Sequence, residues 1–182
     1  MEIRHSLLLT VVGPLLALAS DRGLLRLRFL REVCEYRTEA RAAVSAHGPD
    51  ARPCEDPACF APLVRQLGEY FAGQRRAFDV PLDLRGSVFQ RDVFGALLEI
   101  PHGQLRTYTQ VAAMLGRPHA ARAVGQAVGA NPVPIVVPCH RVVGADGDLV
   151  GFGGGMDLKA RLLRLEGHTL GRAARVVAPR LF

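Results

Sequence analysis

The sequence lacks two features that would take it out of the ordinary globular class. No apolar run reaches the ~18 residues that a membrane-spanning helix requires. The four cysteines, at positions 34, 54, 59 and 139, do not have the spacing of a disulfide framework, and a chain of 182 residues can bury a core without one. We therefore expect a cytoplasmic protein that makes no membrane contact.

The beginning of the chain has two interpretations. The run SLLLTVVGPLLALAS ends in Ala-Leu-Ala, as a cleaved signal peptide can. However, Glu2 stands beside a single Arg4, Gly13-Pro14 interrupts the run, and a second apolar segment follows the turn-like SDRG at hairpin distance. We therefore favour a buried hairpin, in which TVVGPLLALASDRGLLRLRFL forms two antiparallel strands, and not a signal peptide.

Acidic side chains are scarce in the second half of the chain. Residues 85–182 carry 12 basic and 6 acidic side chains, whereas residues 1–84 carry 11 of each, so the whole net charge of +6 belongs to the second half. This bias suits a polyanionic partner such as nucleic acid, although a basic surface can equally be a solvated one.

A polar, proline-rich region lies in the middle of the first half. After a short helical stretch, residues 45–61 are expected to form a surface loop. The whole region, residues 34–63, includes Cys34, His47, Cys54 and Cys59. Neither the gap between Cys54 and Cys59 nor a lone histidine matches a zinc pattern. We therefore predict that no metal is bound.

Apolar spacing and end signals predict two longer helices. The first helix lies in FAPLVRQLGEYFAG and ends before Gly73. The second lies in SVFQRDVFGALLEIPHG, begins with Ser87 and Gln90 at capping-box spacing and is stopped by Pro101. Their apolar faces are formed by Leu63, Leu67, Tyr70 and Phe71 in the first helix and by Phe89, Val93, Phe94, Leu97 and Leu98 in the second.

The segment TYTQVAAMLGRPHAARAVGQAVGAN predicts a helix-turn-helix over about residues 107–130. Thr107 and Gln110 repeat the capping-box spacing, and Gly-Arg-Pro at 116–118 separates the two helices. The second helix is rich in alanine and glycine, and its one charge is Arg122. Such a smooth helix can pack tightly against its neighbours or lie close to a nucleic-acid groove.

The stretch NPVPIVVPCHRVV, residues 131–143, places a thiol and an imidazole side by side at Cys139 and His140. We expect PIVV and RVVG to be short buried strands on either side of a tight bend. A cysteine in apolar surroundings is usually inert, and burial raises its pKa. Here, however, His140 can accept the proton, Arg141 can favour the thiolate, and Glu166 at the end of a last predicted helix can orient the imidazole. The glycines of VGFGGGM let backbone N–H groups approach a ligand closely.

Several motifs in a fixed order now resemble one family. RTY at 106–108, AARAVG at 120–125, NPVPIVVPCHRVV and LEG at 165–167 resemble the O6-alkylguanine-DNA alkyltransferases (methylated-DNA–protein-cysteine methyltransferases), and YFAGQRRAFDVPLDLRGSVFQ resembles their domain junction. The resemblance implies an α+β fold. Residues 1–84 would form a ribonuclease-H-like sheet domain, and residues 85–182 a winged-helix-like DNA-binding domain with the active-site turn at 138–141.

The resemblance also implies roles for five residues in the chemistry. Cys139 would accept the alkyl group from O6-alkylguanine, and also from O4-alkylthymine. His140 would be its water-mediated base, Glu166 would hold His140, and Asn131 would brace the turn. Tyr108 would donate a proton to the departing guanine.

Further residues are implied to contact double-stranded DNA or the damaged base. Arg122 would fill the space left by the flipped nucleotide, Pro134 would line the pocket, and the carbonyls of Cys139 and Val142 would accept from the guanine amino group. Phe152 stands where many members have tyrosine, and Gly153 where some have serine. The remaining implied contacts are Thr107 and Ala121. The family implies a monomer without a cofactor.

Two other classes stay open. A lesion-binding regulator could share the helices and the pocket, and a cysteine hydrolase could use the same thiol and imidazole. Relatives that only bind lack the cysteine, whereas a hydrolase would have no use for the smooth helix. A thioether at Cys139 has no competent leaving group, so we expect each molecule to act once.

Overall fold

The structure, a computed structural model, describes residues 1–171 and 175–176. It divides into two compact units, Met1–Arg85 and Gly86–Phe182. The first contains a four-stranded sheet and the second is mainly helical, which confirms the predicted α+β class. No helix within the described residues is long and apolar enough to cross a membrane.

The sheet of the first unit has the strand order β3-β2-β1-β4. Strand β1 pairs antiparallel with β2 and parallel with β4, and β2 pairs antiparallel with β3. The predicted pairing across SDRG is therefore confirmed, whereas the additional strand β1 was not predicted. The elements of this unit are β1 (Glu2–Thr10), β2 (Gly13–Ser20), β3 (Gly23–Phe29), α1 (Tyr36–Ser45), β4 (Arg52–Glu55) and α2 (Ala61–Phe71).

The turn between β2 and β3 depends on a glycine. Gly23 has φ +141°, and a Cβ built there would lie 2.4 Å from the carbonyl oxygen of Pro81. Ser20 Oγ accepts a hydrogen bond from Arg22 N at 3.1 Å and donates one to Asp83 Oδ2 at 2.7 Å. No other residue fits the backbone at Gly23, so this position fixes the register of the hairpin.

The expectation of a surface loop over residues 45–61 is wrong at β4. The segment Arg52–Glu55 is mostly exposed and lacks an apolar alternation, so the pattern concealed a strand. Backbone hydrogen bonds order it at the edge of the sheet, including Arg52 N to Met1 O at 2.9 Å and Asp56 N to His5 O at 3.1 Å. An edge strand of this kind needs little side-chain burial.

The second unit begins with the predicted helices. Its elements are α3 (Val88–Leu98), β5 (Arg106–Thr107), α4 (Tyr108–Met114), α5 (Ala121–Gly129), β6 (Val142–Val143) and α6 (Met156–Leu165). Both predicted capping boxes form, at Ser87 with Gln90 and at Thr107 with Gln110. The apolar stripe of α3 is correct except for Leu98, which is 44% exposed.

Two contacts bring the start of α4 beside the predicted active-site turn. Strands β5 and β6 pair in parallel, with Arg106 opposite Val142 and Thr107 opposite Val143. Helices α3 and α4 both contact α5, and Leu163 of α6 packs in one cluster with Leu105 and Val143. The pairing therefore places the N-terminus of α4, the turn and α6 around one point.

Candidate active site

The segment before Cys139 is a tight turn, and the prediction of a strand over PIVV is wrong. Ile135 has φ +76°, a left-handed conformation that is strained for a β-branched residue. Asn131 holds the turn from both sides, because its Oδ1 accepts from Val133 N at 3.0 Å and its Nδ2 donates to Val137 O at 2.9 Å. The structure thus places Asn131 where a brace is needed.

The turn leads directly to the thiol. Pro138 has φ −82° and ψ 61°, and Cys139 N donates to Val137 O at 2.8 Å, which is an inverse γ-turn. A short 3-10 helix, Cys139–Arg141, follows and continues into β6, so RVVG is a strand for two residues only. Cys139 is 6% exposed at the end of this bend.

The two residues that follow Cys139 belong to a buried cluster of three charged or titratable groups. Glu166 Oε1 lies 2.9 Å from His140 Nε2 and 2.9 Å from Arg141 Nη2, and Arg141 Nε donates to Glu166 Oε2 at 3.0 Å. Arg141 Nη1 also donates to Ile100 O at 2.6 Å. The expectation that Arg141 favours the thiolate directly is therefore wrong, because its guanidinium is paired with Glu166.

The electrostatics of this cluster favour a carboxylate and a neutral imidazole. Burial opposes ionisation of Glu166, but His140 and Arg141 outweigh it and hold the pKa of this carboxyl well below its usual range. Burial lowers the pKa of His140, against the opposing effect of Glu166. Burial also raises the pKa of the Cys139 thiol, although the Asn131 amide and the Lys159 charge favour the thiolate. The resting pair is therefore a thiol beside a neutral imidazole.

Cys139 lies in the wall of a cavity of about 670 Å³. Tyr108, at the start of α4, lines the same cavity, and its hydroxyl is 3.5 Å from Val150 O. Burial raises the pKa of Tyr108, and so does the nearby Cys139, so the phenol stays protonated and can donate. A Cβ at Gly125 would be 3.7 Å from the Tyr108 ring, which is ordinary van der Waals contact, so α5 lies directly against the tyrosine.

Helix α5 has one face toward the core and another toward the cavity. Val124, Ala127 and Val128 are buried, whereas Arg122 is exposed at the cavity. The guanidinium of Arg122 makes no hydrogen bond or ion pair within the part of the chain that the structure describes. Of the small residues of α5, Ala121, Gly125 and Gly129 line the cavity, whereas Ala127 packs in the core.

The structure brings most of the predicted residues together, but not all. Ala121, Phe152 and Gly153 line the cavity with Tyr108, Arg122 and Cys139. Thr107 caps α4, Pro134 is buried in the turn, and neither lines the cavity, nor does Val142. Among the residues that the structure describes, no group of three or more potential metal ligands is found.

One residue of the site was missed by sequence reasoning. Lys159 of α6 is fully buried, and its Nζ donates to Val142 O at 2.6 Å and to Val150 O at 2.8 Å. A simple signal could have found it, because it is the sole lysine of a chain with 23 basic residues.

The fold and the site define a two-domain α+β protein with a cysteine in a cavity wall, and known proteins share this organisation. Residues 3–84 match the ribonuclease-like domain of 6-O-methylguanine DNA methyltransferase, and residues 88–168 match the DNA-binding domain of the same family. The chain therefore belongs to the methylated-DNA–protein-cysteine methyltransferase family, as the resemblance of its motifs predicted.

Individual relatives cover much of the chain. A methylated-DNA–protein-cysteine methyltransferase of Mycolicibacterium paratuberculosis is 59% identical over 112 residues, which are 62% of this chain and 68% of the relative. That of Methanosarcina acetivorans is 42% identical over 156 residues, 86% of this chain and 93% of the relative. The crystal structure of a Mycobacterium tuberculosis OGT in complex with DNA is similar with a TM-score of 0.73 and 43% identity, and covers 91% of this chain and 92% of that one.

Proposed function

We propose that this protein repairs DNA by transferring an alkyl group from O6-alkylguanine, and from O4-alkylthymine, to Sγ of Cys139 in a single turnover. One observation carries the proposal: the thiol of Cys139 lies in the wall of a cavity with Tyr108 and Arg122, and the next residue, His140, is paired with Glu166. Family membership supports the same chemistry, because the relatives are named for it.

The proposed reaction is one displacement at the alkyl carbon. Cys139 loses its proton to His140 through a water molecule, and the thiolate attacks the alkyl carbon. The S–C bond forms as the C–O6 bond breaks, and the electron pair leaves with the guanine oxygen. Tyr108 supplies a proton to the guanine and is reprotonated by the imidazolium through solvent. The products are guanine and a Cys139 thioether, which has no competent leaving group.

The geometry of the second unit supports DNA binding through α4 and α5. We propose that these helices act as a helix-turn-helix, that the damaged nucleotide is flipped into the cavity, and that Arg122 occupies the vacated stack. The exposed guanidinium of Arg122 at the cavity supports this role. The proposal includes a cytoplasmic monomer that binds double-stranded DNA mainly through phosphates.

Specific contacts to the base belong to the same proposal. Ala121, Phe152 and Gly153 line the cavity and would contact the flipped nucleotide. The Cys139 carbonyl would accept from the guanine amino group, whereas Val142 does not line the cavity and its carbonyl accepts from Lys159 Nζ at 2.6 Å. Thr107 and Pro134 would act indirectly, through the cap of α4 and the turn before the thiol.

Replacement of Cys139 tests the proposal. The wild-type protein is incubated with a duplex containing O6-methylguanine, and its intact mass is then measured. We expect the mass of one methyl group to be added, with no addition in Cys139→Ala. Binding of the variant to the duplex should be unchanged, because the thiol is the reagent and not an anchor.

Cys59→Ala is the matched control, since Cys59 is an exposed thiol of the first unit. It should gain the methyl group like wild type. Methylation of Cys139→Ala would show that another residue is the acceptor. An unchanged wild-type mass with release of repaired product would indicate a hydrolase, and binding without either change would indicate a lesion-binding protein.

A further inference from the structure

The buried Lys159 ammonium has no carboxylate partner. It is 0% exposed, and within residues 1–171 and 175–176 no carboxylate lies at ion-pair distance from it. The ammonium donates hydrogen bonds to the carbonyls of Val142 and Val150. The buried Glu166 nearby is already bound by His140 and Arg141.

A charge in this position is costly. An ammonium removed from water without an opposite charge is strongly disfavoured, and proteins usually avoid it. Burial accordingly lowers the pKa of Lys159 to about 8, and the charge of Cys139 acts in the opposite direction. All other basic side chains of the chain except the histidines are arginines, yet this buried position has lysine. Two hydrogen bonds to carbonyls offset only part of the cost, so the ammonium needs an anionic partner.

We propose that Lys159 is a positioning residue for alkyl transfer: its ammonium is the counter-ion of the Cys139 thiolate, and its hydrogen bond to Val150 O holds that carbonyl at the cavity. The inference rests on the proposed function of Cys139. It replaces the role that the sequence suggested for Arg141.

The other groups around the thiol have different effects on its ionisation. Asn131 also favours the thiolate, but as a neutral donor. His140 can take the proton, although Lys159 and Arg141 both disfavour its imidazolium form. Tyr108 is neutral, with its pKa raised partly by Cys139. Glu166 is an anion compensated by Arg141. Arg122 lines the same cavity but is exposed to solvent, so among the described residues Lys159 is the buried cation that acts on the thiol without a carboxylate of its own.

The first test measures thiolate formation by its pH dependence. Alkylation of Cys139 by iodoacetamide, followed by peptide mass spectrometry, is compared between wild type and Lys159→Met from pH 6 to pH 11. The midpoint should rise by about one pH unit in the variant, which lowers the rate at pH 7 about tenfold. The rate at the alkaline plateau should be unchanged. Arg164→Met is the matched control, because it removes an exposed cation from the same helix.

The second test needs no substitution. Because the chain has one lysine, protein labelled with 15N-lysine gives a single side-chain Nζ signal. Its titration midpoint is measured before and after Cys139 is alkylated with O6-benzylguanine. Coupling between two sites is reciprocal, so removal of the thiolate charge should lower the midpoint of Lys159. A lysine with a purely structural role would titrate identically in both forms.

The outcomes separate the two proposals. Equal Nζ midpoints before and after alkylation, or superimposable iodoacetamide profiles of wild type and Lys159→Met, would overturn the inference while alkyl transfer to Cys139 stands. If O6-benzylguanine leaves Cys139 unmodified but iodoacetamide shows the shifted profile, the proposed function fails and the ion pair remains. In that case the Nζ comparison is made with the iodoacetamide adduct.

Discussion

Glutamine in place of Glu166 should lower the free energy of unfolding of the second unit, because it breaks the buried ion pair with Arg141. The substitution keeps the size of the side chain and its ability to accept from Gly103 N, which lies 3.1 Å from Oε2. What it removes is the negative charge opposite Arg141. Arg141 is 6% exposed, and its guanidinium would remain in the interior without a carboxylate.

The expected cost is large because one partner of a buried pair is removed and the other remains. Breaking such a pair costs about 3–5 kcal/mol, compared with about 0–1 kcal/mol for an exposed pair. A domain is stable by only about 5–15 kcal/mol, so Glu166→Gln should be close to the limit of folding at 37 °C. Glu99→Gln, which removes an exposed carboxylate of the same unit, should have almost no effect.

The pH dependence of the unfolding free energy distinguishes the loss of the Glu166 charge from a loss of packing. The pKa of Glu166 is lowered in the folded protein from the ordinary value of 4.5, so its contribution is fully present above pH 4.5. The contribution is lost as pH falls below 4.5 toward the depressed folded pKa, where the folded carboxylate becomes protonated. The difference in unfolding free energy between wild type and Glu166→Gln should therefore shrink on acidification.

Urea unfolding followed by circular dichroism measures this difference, since the chain has no tryptophan to report by fluorescence. Unfolding is measured at several pH values between 7 and 3 for wild type and both variants. A difference below about 1 kcal/mol at pH 7 would show that the ion pair contributes no more than an exposed one. A large difference that does not change with pH would instead attribute the loss to packing.

Two predictions concern DNA. Arg122→Ala should slow repair of O6-methylguanine in a duplex at least about tenfold, because a loss of ~1.4 kcal/mol in the stability of the flipped nucleotide is a factor of ten. Alkyl transfer from free O6-benzylguanine should be unchanged, and equal losses in the two rate assays would assign Arg122 to the fold. The affinity for undamaged duplex, measured by fluorescence anisotropy, should fall steeply between about 50 and 200 mM salt and depend little on sequence, as expected for phosphate contacts. An affinity that does not change with salt would contradict the proposed role of the basic second unit.

Short-range features were predictable because their causes lie within a few residues. The capping boxes at Ser87 and Thr107 involve positions three residues apart, and the break before α5 follows from Gly-Arg-Pro at 116–118. The β2–β3 hairpin follows from apolar runs on either side of a turn. The family could be identified because its motifs occur in order around Cys139, and neither their order nor their spacing depends on knowledge of the fold.

Features whose partners are distant in sequence were decided by the tertiary structure. The strand β4 is ordered by backbone pairing with β1, about fifty residues earlier, and its side chains give no sign of this. The turn at Ile135 has a left-handed conformation that apolar composition does not encode, and Asn131 supports it.

The assignment of charges in the site has the same origin. Arg141 is adjacent to His140 in sequence, yet its guanidinium binds Glu166 from the end of α6. The cation that acts on the thiol is Lys159, which the packing of α6 carries to the carbonyls of Val142 and Val150. The sequence by itself thus determined which thiol and which family to consider. The tertiary structure decided which charges act on that thiol, because electrostatic effects depend on distance in space and on burial, and not on position along the chain.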